Sequence, residues 1–199
     1  MSKHLLLLPC ALIVALALSA CGGGDDETGE IEDVIVASAV ADDPANCTKL
    51  NTQRFNEQVA GESGSAAVKE CEEEAEKEEG LDSVEVSKVE VDDSSATADV
   101  ALRGGGLDGQ AVEVALVKDG DQWKLDEIVR FTKYDAAQLA QAFEDEVAAH
   151  PGEISRQLAS CLAETFSSAS RGEAEELRLS GSRDTFEELV EACAARPGA

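Results

Sequence analysis

Apolar residues recur with a helical spacing directly after residue 30. The i, i+3, i+4, i+7 and i+8 positions of an amphipathic helix are occupied by four apolar residues and one small polar residue, in the order Ile31, Val34, Ile35, Ser38 and Ala39. We therefore predict a helix over residues 31–41 that has one apolar face to bury.

A proline break separates this helix from two more. Asp42-Asp43-Pro44 ends the first helix, and we expect Asp43 to be the N-cap and Pro44 the first residue of the next. The second helix carries Cys47, Leu50, Phe55 and Val59. A third helix is predicted over residues 65–79, after a Gly-Glu-Ser-Gly break, and it contains Val68, Cys71 and Ala75.

The pattern then changes to the alternation that is typical of strands. Val84 and Val86 alternate in one phase and Val89 and Val91 in the other, so the slip at Ser87-Lys88 predicts a β-bulge. Three further strands follow, whose inward residues are Ala96, Ala98, Val100 and Leu102, then Val112, Val114 and Leu116, then Trp123, Leu125, Val129 and Phe131. The connections are a turn at residues 92–94, a loop at 103–109 and a tight hairpin at 119–121, which together predict an antiparallel meander with one buried face.

From Tyr134 onward the periodicity is again helical. The apolar positions are Leu139, Phe143 and Val147, then Ile154, Leu158, Cys161, Leu162 and Phe166, then Leu177 and Leu179, then Phe186, Leu189, Val190 and Cys193. The fold class predicted for the whole is α+β: N-terminal helices on a curved antiparallel sheet of about four strands, followed by a small all-helical module that either packs on the sheet or stands apart.

The first residues of the chain are typical of an export signal. Lys3 supplies a positive charge, and an apolar run of about 14 residues follows over positions 5–18. A permanent membrane-spanning helix needs roughly 20 apolar residues, so this run fits the core of a secretory signal peptide better than an uncleaved anchor.

The run ends in Leu18-Ser19-Ala20-Cys21-Gly22, which resembles the lipobox of bacterial lipoproteins. The resemblance implies that residues 1–20 are removed, that the sulfur of Cys21 carries a diacylglyceryl group, and that further acylation follows. Several acyl chains hold a protein firmly on a bilayer, whereas one holds it weakly. We therefore expect a lipid-anchored protein on the cell membrane or outer membrane that faces the extracytoplasmic side. The alternative is an ordinary signal peptide cut after Ala20.

The expected mature chain is strongly acidic. Without residues 1–20 it has 15 Lys and Arg residues against 42 Asp and Glu residues, a formal net charge of about −27. Nucleic acid is therefore not an expected partner, because binding it requires a basic surface. Residues 22–30 contain no hydrophobic side chain, which predicts a flexible tether between Cys21 and the domain.

The order of helices and strands suggests a known fold family. The segment from Val114 to Asp126 (VALVKDGDQWKLD) resembles the last hairpin of nuclear-transport-factor-2-like proteins, and the resemblance extends over roughly residues 31–131. It implies a cone in which helices close over a curved sheet and leave a pocket. Some members use the pocket as isomerases, cyclases or dehydratases, while many lipoprotein members have no known activity.

Four cysteines remain once Cys10 leaves with the leader and Cys21 is lipidated: Cys47, Cys71, Cys161 and Cys193. An even number in an exported protein predicts disulfides, and three pairings are possible. The local pairing, Cys47 with Cys71 and Cys161 with Cys193, is favoured because each pair lies on neighbouring helices. A redox pair or a metal site is disfavoured because the sequence has no C-x-x-C motif.

We find no catalytic or metal-binding constellation in the sequence and expect no cofactor. His150, the one histidine outside the leader, precedes Pro-Gly and is expected to lie at the end of a helix. The glutamates of residues 70–79 would be spread around a helix rather than gathered as calcium ligands. Asp99 and Asp126 alternate away from the apolar face, and Tyr134 follows the sheet, so no acid–base pair emerges.

These observations predict four segments: a signal peptide at 1–20, the lipidated Cys21 with its tether at 21–30, a nuclear-transport-factor-2-like domain at 31–133 and a helical module at 134–199. The functional hypothesis is a non-catalytic binding module on the membrane, for either a small apolar ligand or an envelope protein. The alternatives are a pocket enzyme of the isomerase or dehydratase type and a purely structural envelope lipoprotein.

Overall fold

The computed structural model of the chain describes residues 24–40, 43–77, 81–149, 155–181 and 183–196. The predicted signal peptide, Cys21 and His150 lie outside the described residues. None of the helices within the described ranges combines the length and apolar character needed to cross a bilayer.

Four strands form one antiparallel meander in the order β1-β2-β3-β4. Their bounds are Ser83–Asp92 for β1, Ser95–Arg103 for β2, Ala111–Asp119 for β3 and Gln122–Lys133 for β4. The predicted bulge in β1 is confirmed, since its register with β2 shifts between Ser87 and Glu90. Lys88 is the inserted residue and has a positive φ of 51°.

Strand β4 departs from simple alternation after Leu125. Its register with β3 shifts three times, and Val114 pairs with Ile128 while Leu116 pairs with Leu125. Val129 falls on a bulge and is 41% exposed, so its predicted place on the buried face is wrong, and Ile128 packs against the core instead. Each bulge adds a residue and increases the local twist, which curves the sheet.

Helix α1, Gly24–Val40, crosses the inner face of the sheet. Ile31 and Ile35 point into the core and are 0% and 2% exposed, as the periodicity predicts. The prediction of a flexible tether is wrong for residues 24–30, which are the first two turns of this helix. The acidic sequence there suits the positive end of a helix dipole, and Glu27 forms a 2.7 Å ion pair with Lys118 of β3.

The second predicted helix is two helices, α2 at Asn46–Lys49 and α3 at Gln53–Ala60. The chain between them leaves the helical path because its backbone pairs with β4: Leu125 N donates to Leu50 O and Thr52 N donates to Leu125 O, each at 2.8 Å. Asp43 is not the N-cap residue, since α2 begins three residues later. Helix α4, Ser65–Glu76, follows as predicted and ends three residues early.

Among the residues that the structure describes, four helices follow the sheet: α5 at Ala136–Ala149, α6 at Arg156–Ser168, α7 at Arg171–Arg178 and α8 at Arg183–Ala194. The predicted α+β class, with helices after the sheet, is confirmed. These helices share one continuous core with the sheet, in which Leu139, Leu162, Phe166 and Cys193 join the inner-face residues. The Tyr134 hydroxyl adds a polar link by donating to Ala169 O at 2.9 Å.

Candidate functional site

The inner face of the sheet is filled by its own side chains. Ten residues of strands β2, β3 and β4 on this face are each at most 7% exposed: Ala96, Ala98, Val100, Leu102, Val112, Val114, Leu116, Trp123, Leu125 and Phe131. They pack against Ile31 and Ile35 of α1 and against the C-terminal helices. This is where the family resemblance implies a ligand pocket, and these positions are occupied by packed aliphatic and aromatic groups.

The outer face of the sheet carries a polar groove of about 380 Å³. It is lined by eight residues drawn from all four strands: Lys88, Glu90, Thr97, Ala98, Asp99, Glu113, Arg130 and Thr132. Seven of them are polar, and the eighth, Ala98, has its side chain in the core on the inner face. We call this set of residues the outer groove. The alternation of the strands explains its chemistry, because inward positions are apolar and the residues between them are polar and turn outward.

Lys88 reaches the outer groove because of the β1 bulge. As the extra residue between Ser87 and Val89, it projects outward while Val89 returns to the inner side. Its Nζ lies 2.6 Å from Asp99 Oδ2 on β2. The hydrogen bond from Lys88 to Asp99, together with the charge of that carboxylate, raises the pKa of the Lys88 amine, while nearby Arg130 partly opposes this. Lys88 therefore stays charged, and 76% of its side chain remains exposed.

A second ion pair forms the other wall of the outer groove. Arg130 of β4 binds Glu113 of β3 with two guanidinium nitrogens, of which Nε lies 3.2 Å from Oε1 and Nη2 contacts Oε2. Two parallel bonds fix both side chains more tightly than a single contact. The hydrogen bonds and charge of Glu113, with further charge from Asp99 and Glu175, raise the pKa of Arg130.

The outer groove is suited to recognition of a polar ligand. Its lining includes two cationic side chains and three carboxylates. In the chain as a whole, acidic residues outnumber basic residues by 42 to 16. The eight lining residues of the outer groove include no histidine, cysteine or serine, and its two hydroxyls are threonines. Among the described residues, no cluster of three or more histidine, cysteine, aspartate or glutamate side chains is placed to hold a metal ion.

The four cysteines predicted to be oxidised form two disulfides. Cys47 of α2 is bonded to Cys71 of α4, and Cys161 of α6 is bonded to Cys193 of α8, with Cα–Cα distances of 5.9 and 5.7 Å. This is the local pairing among the three that the sequence allows. Each bond joins two helices of the same segment, so their role in the structure is to hold helices together.

Other candidate side chains are engaged in structural contacts. Asp126 faces away from the core and binds Arg54 of α3 at 2.9 Å, so it is held at the edge of the sheet. Burial, and secondarily the charges of Glu173 and Asp135, raises the pKa of Tyr134. On α4, Glu73 pairs with Lys69 across one turn, and Glu74 and Glu76 are exposed around the helix.

Comparison of the chain with protein-family models, with curated proteins and with solved structures gave no match. The family resemblance therefore stays a prediction from the hairpin motif. The sequence pattern does not predict the outer groove: alternation places Asp99 outward but does not connect it with Lys88, Glu113 and Arg130. The alternating polar residues indicate which side chains face outward. They do not give the strand register that brings side chains of four strands to one groove.

Proposed function

We propose that this protein is a lipid-anchored, extracytoplasmic binding module whose outer groove recognises an envelope protein. The proposed anchor is the acylated sulfur of Cys21, and its support is the Leu-Ser-Ala-Cys-Gly motif after an apolar run. The proposed recognition surface is supported by one structural contrast: the inner face of the sheet is packed, while the outer face exposes two ion pairs around a groove.

The arrangement of charges favours a polypeptide partner that brings both signs of charge. Lys88 and Arg130 offer donors, and Glu90 offers an acceptor beside them. A partner carboxylate placed near Lys88 would share the positive charge of this lysine with Asp99, so neither carboxylate would be left unpaired. Charge complementarity of this kind contributes mainly to specificity and association rate, so binding should weaken as salt rises.

The other hypotheses need space on the inner face. A small apolar ligand, or an isomerase or dehydratase site, would have to lie among buried inner-face residues such as Val100, Val114 and Trp123, which share one core with α1. Such a ligand would displace these buried groups, and displacing packed apolar side chains costs free energy. The packing therefore favours the protein-partner hypothesis over both.

The anchor is tested by labelling cells with a radioactive or clickable fatty acid and isolating the protein. The full chain should incorporate the label and separate with the membrane fraction, and Cys21→Ala should do neither. Label on the Cys21→Ala variant, or wild-type protein that lacks the label, would contradict the anchor.

The outer groove is tested by photo-crosslinking in cells from a reactive residue at Thr97. We expect a defined crosslinked product that disappears with Lys88→Glu. The matched control is Lys69→Glu, which makes the same charge change at a lysine that is also about three-quarters exposed and paired with one carboxylate, and which should leave the product unchanged. Equal effects of the two variants would contradict recognition by the groove. No product at all would favour a purely structural lipoprotein.

A further inference from the structure

We infer that the membrane faces the end of the sheet formed by its two hairpin turns, at residues 92–95 and 119–122. We call this the hairpin end. The opposite end, at residues 81–83 and 103–109, is the loop end. This inference rests on the proposed lipidation of Cys21 and deepens it, because it specifies how the anchored domain is oriented and which way the outer groove opens.

The direction of α1 carries the inference. Near its start, Glu27 forms an ion pair with Lys118, and Lys118 N donates to Ser94 O at 2.9 Å, so the beginning of the helix lies at the hairpin end. Near its finish, Ala39 O accepts from Leu81 N at 3.0 Å, beside the start of β1. The helix thus enters at the hairpin end and leaves at the loop end.

Chain length then places the bilayer. Only Gly22 and Gly23 separate Cys21 from the first residue of α1, and three fully extended Cα steps span at most about 11 Å. Helix α1 has 17 residues and is therefore about 25 Å long. A lipid on Cys21 holds the hairpin end next to the headgroups, while the loop end lies the length of the helix farther away.

The hairpin end is acidic. The side chains of Asp92, Asp93, Asp119 and Asp121 are exposed there, and the nearby amines are those of Lys118 and Lys124. Like charges repel, so an anionic bilayer should push this end outward to the limit of the short linker, and salt should weaken that effect. The rest of the chain is also strongly acidic, so laying the domain flat would bring more negative charge to the bilayer, and an upright domain is favoured.

This orientation also sets the position of the outer groove. Asp99 lies five residues along β2 from Ser94, a rise of about 16 Å from the turn. The groove therefore opens sideways, roughly halfway up the sheet, where a neighbouring envelope protein can reach it without penetrating the headgroups.

Two serines at opposite ends of β1 provide a matched test. Ser94 lies in the turn after β1 and Ser83 begins the strand, and both are exposed. Lipidated protein carrying Ser94→Cys or Ser83→Cys would be labelled with a donor fluorophore, because the other cysteines are lipidated or disulfide-bonded. Each protein is then bound to phosphatidylcholine vesicles, with or without phosphatidylglycerol, that carry an acceptor on the headgroup.

We expect energy transfer from the label at position 94 to be at least about twofold stronger than from position 83, because about ten residues of strand separate them. Transfer from position 94 should fall modestly when the vesicles contain phosphatidylglycerol. Equal or reversed transfer with bound protein would overturn the orientation and leave the anchor intact. Vesicle binding by labelled Cys21→Ala protein that matches the lipidated protein would overturn the anchor, and the orientation with it.

Discussion

The side-chain amide of Gln58 closes the edge of strand β4 at Ile128. Its Oε1 accepts from Ile128 N at 2.7 Å and its Nε2 donates to Ile128 O at 2.8 Å, so the carboxamide pairs with that residue as a neighbouring strand would. Nε2 also contacts Leu179 O after α7. The backbone groups of Leu50 and Thr52 pair with those of Leu125, and Glu175 Oε1 accepts from Phe131 N at 2.9 Å. The outer edge of β4 therefore has hydrogen-bond partners at three of its residues. Paired edges do not recruit strands from other molecules.

We predict that Gln58→Ala destabilises the fold by about 2 kcal/mol, because it leaves the Ile128 amide and carbonyl without protein partners. The control is Gln53→Ala on the same helix, where the carboxamide makes one exposed bond to Glu57, and we expect a loss within about 0.5 kcal/mol. Guanidinium-induced unfolding of the purified proteins measures both. Equal losses would show that the Gln58 pairing does not stabilise the edge.

The β4 bulge predicts opposite consequences for two adjacent apolar residues. Ile128 packs on the core, so Ile128→Ala should cost about 2 kcal/mol, toward the low end for a residue that is only partly buried. Val129 is 41% exposed, and Val129→Ala should change stability by no more than about 0.5 kcal/mol. Strict alternation from Leu125 predicts the reverse order, so the two unfolding curves decide between the registers.

The Cys161–Cys193 disulfide closes a separation of 32 residues and holds α8 against α6. In the chain-entropy model, replacing both cysteines with alanine should cost about 3–4 kcal/mol. We expect the amide protons of α8 to exchange faster while those of α1 change little. The matched control, Cys47→Ala with Cys71→Ala, removes a bond of separation 24 and should leave α8 unaffected. Unchanged protection of α8 in the first variant would contradict this role.

Tyr134 is the one tyrosine of the chain, so its ionisation can be followed by tyrosinate absorbance. Burial raises its pKa above the ordinary value of 10.0. The folded state thus binds this proton more tightly than the unfolded state does, and the resulting stability is present below pH 10 and is lost as the pH rises through the folded pKa.

We expect the absorbance midpoint of the folded protein to lie above that of the protein in denaturant. Tyr134→Phe removes the bond to Ala169 O and should cost about 1 kcal/mol at neutral pH. A midpoint at or below that of the unfolded chain would contradict the buried position of this hydroxyl.

Much of the fold could be predicted because the apolar residues of most segments follow either the helical or the strand periodicity, and not a mixture of the two. The phase slip at Ser87-Lys88 predicted a bulge because one valine pair is displaced relative to the other. Residues 126–130 gave no such guide: Ile128 and Val129 are adjacent and both apolar, so alternation cannot choose between them. The first turns of α1 are not predicted from the sequence because residues 24–30 contain no apolar side chain. The ion pair that holds Glu27 is formed with Lys118, which lies 91 positions farther along the chain.

The outer groove could not be predicted for a related reason. The pairs Lys88–Asp99 and Glu113–Arg130 depend on strand register, and the two shifts between the β3–β4 hairpin and Glu113 decide that Arg130 stands opposite Glu113. Likewise, the burial of Gln110 at 1% follows from its carboxamide pairing with both backbone groups of Asp135, a contact that composition does not suggest. The cysteine pairing was favoured from the sequence because sequence neighbours on adjacent helices are also neighbours in space.

The proposed anchor and the orientation of the domain both depend on the chemistry of the Cys21 sulfur. Mass spectrometry of the N-terminal peptide of the protein, isolated from membranes of its own cells, measures it directly. We predict a peptide that begins at Cys21 and carries the mass of a diacylglyceryl group, with residues 1–20 absent. A peptide that retains the leader, or one that begins at an unmodified Cys21, would contradict the proposed anchor and the orientation derived from it.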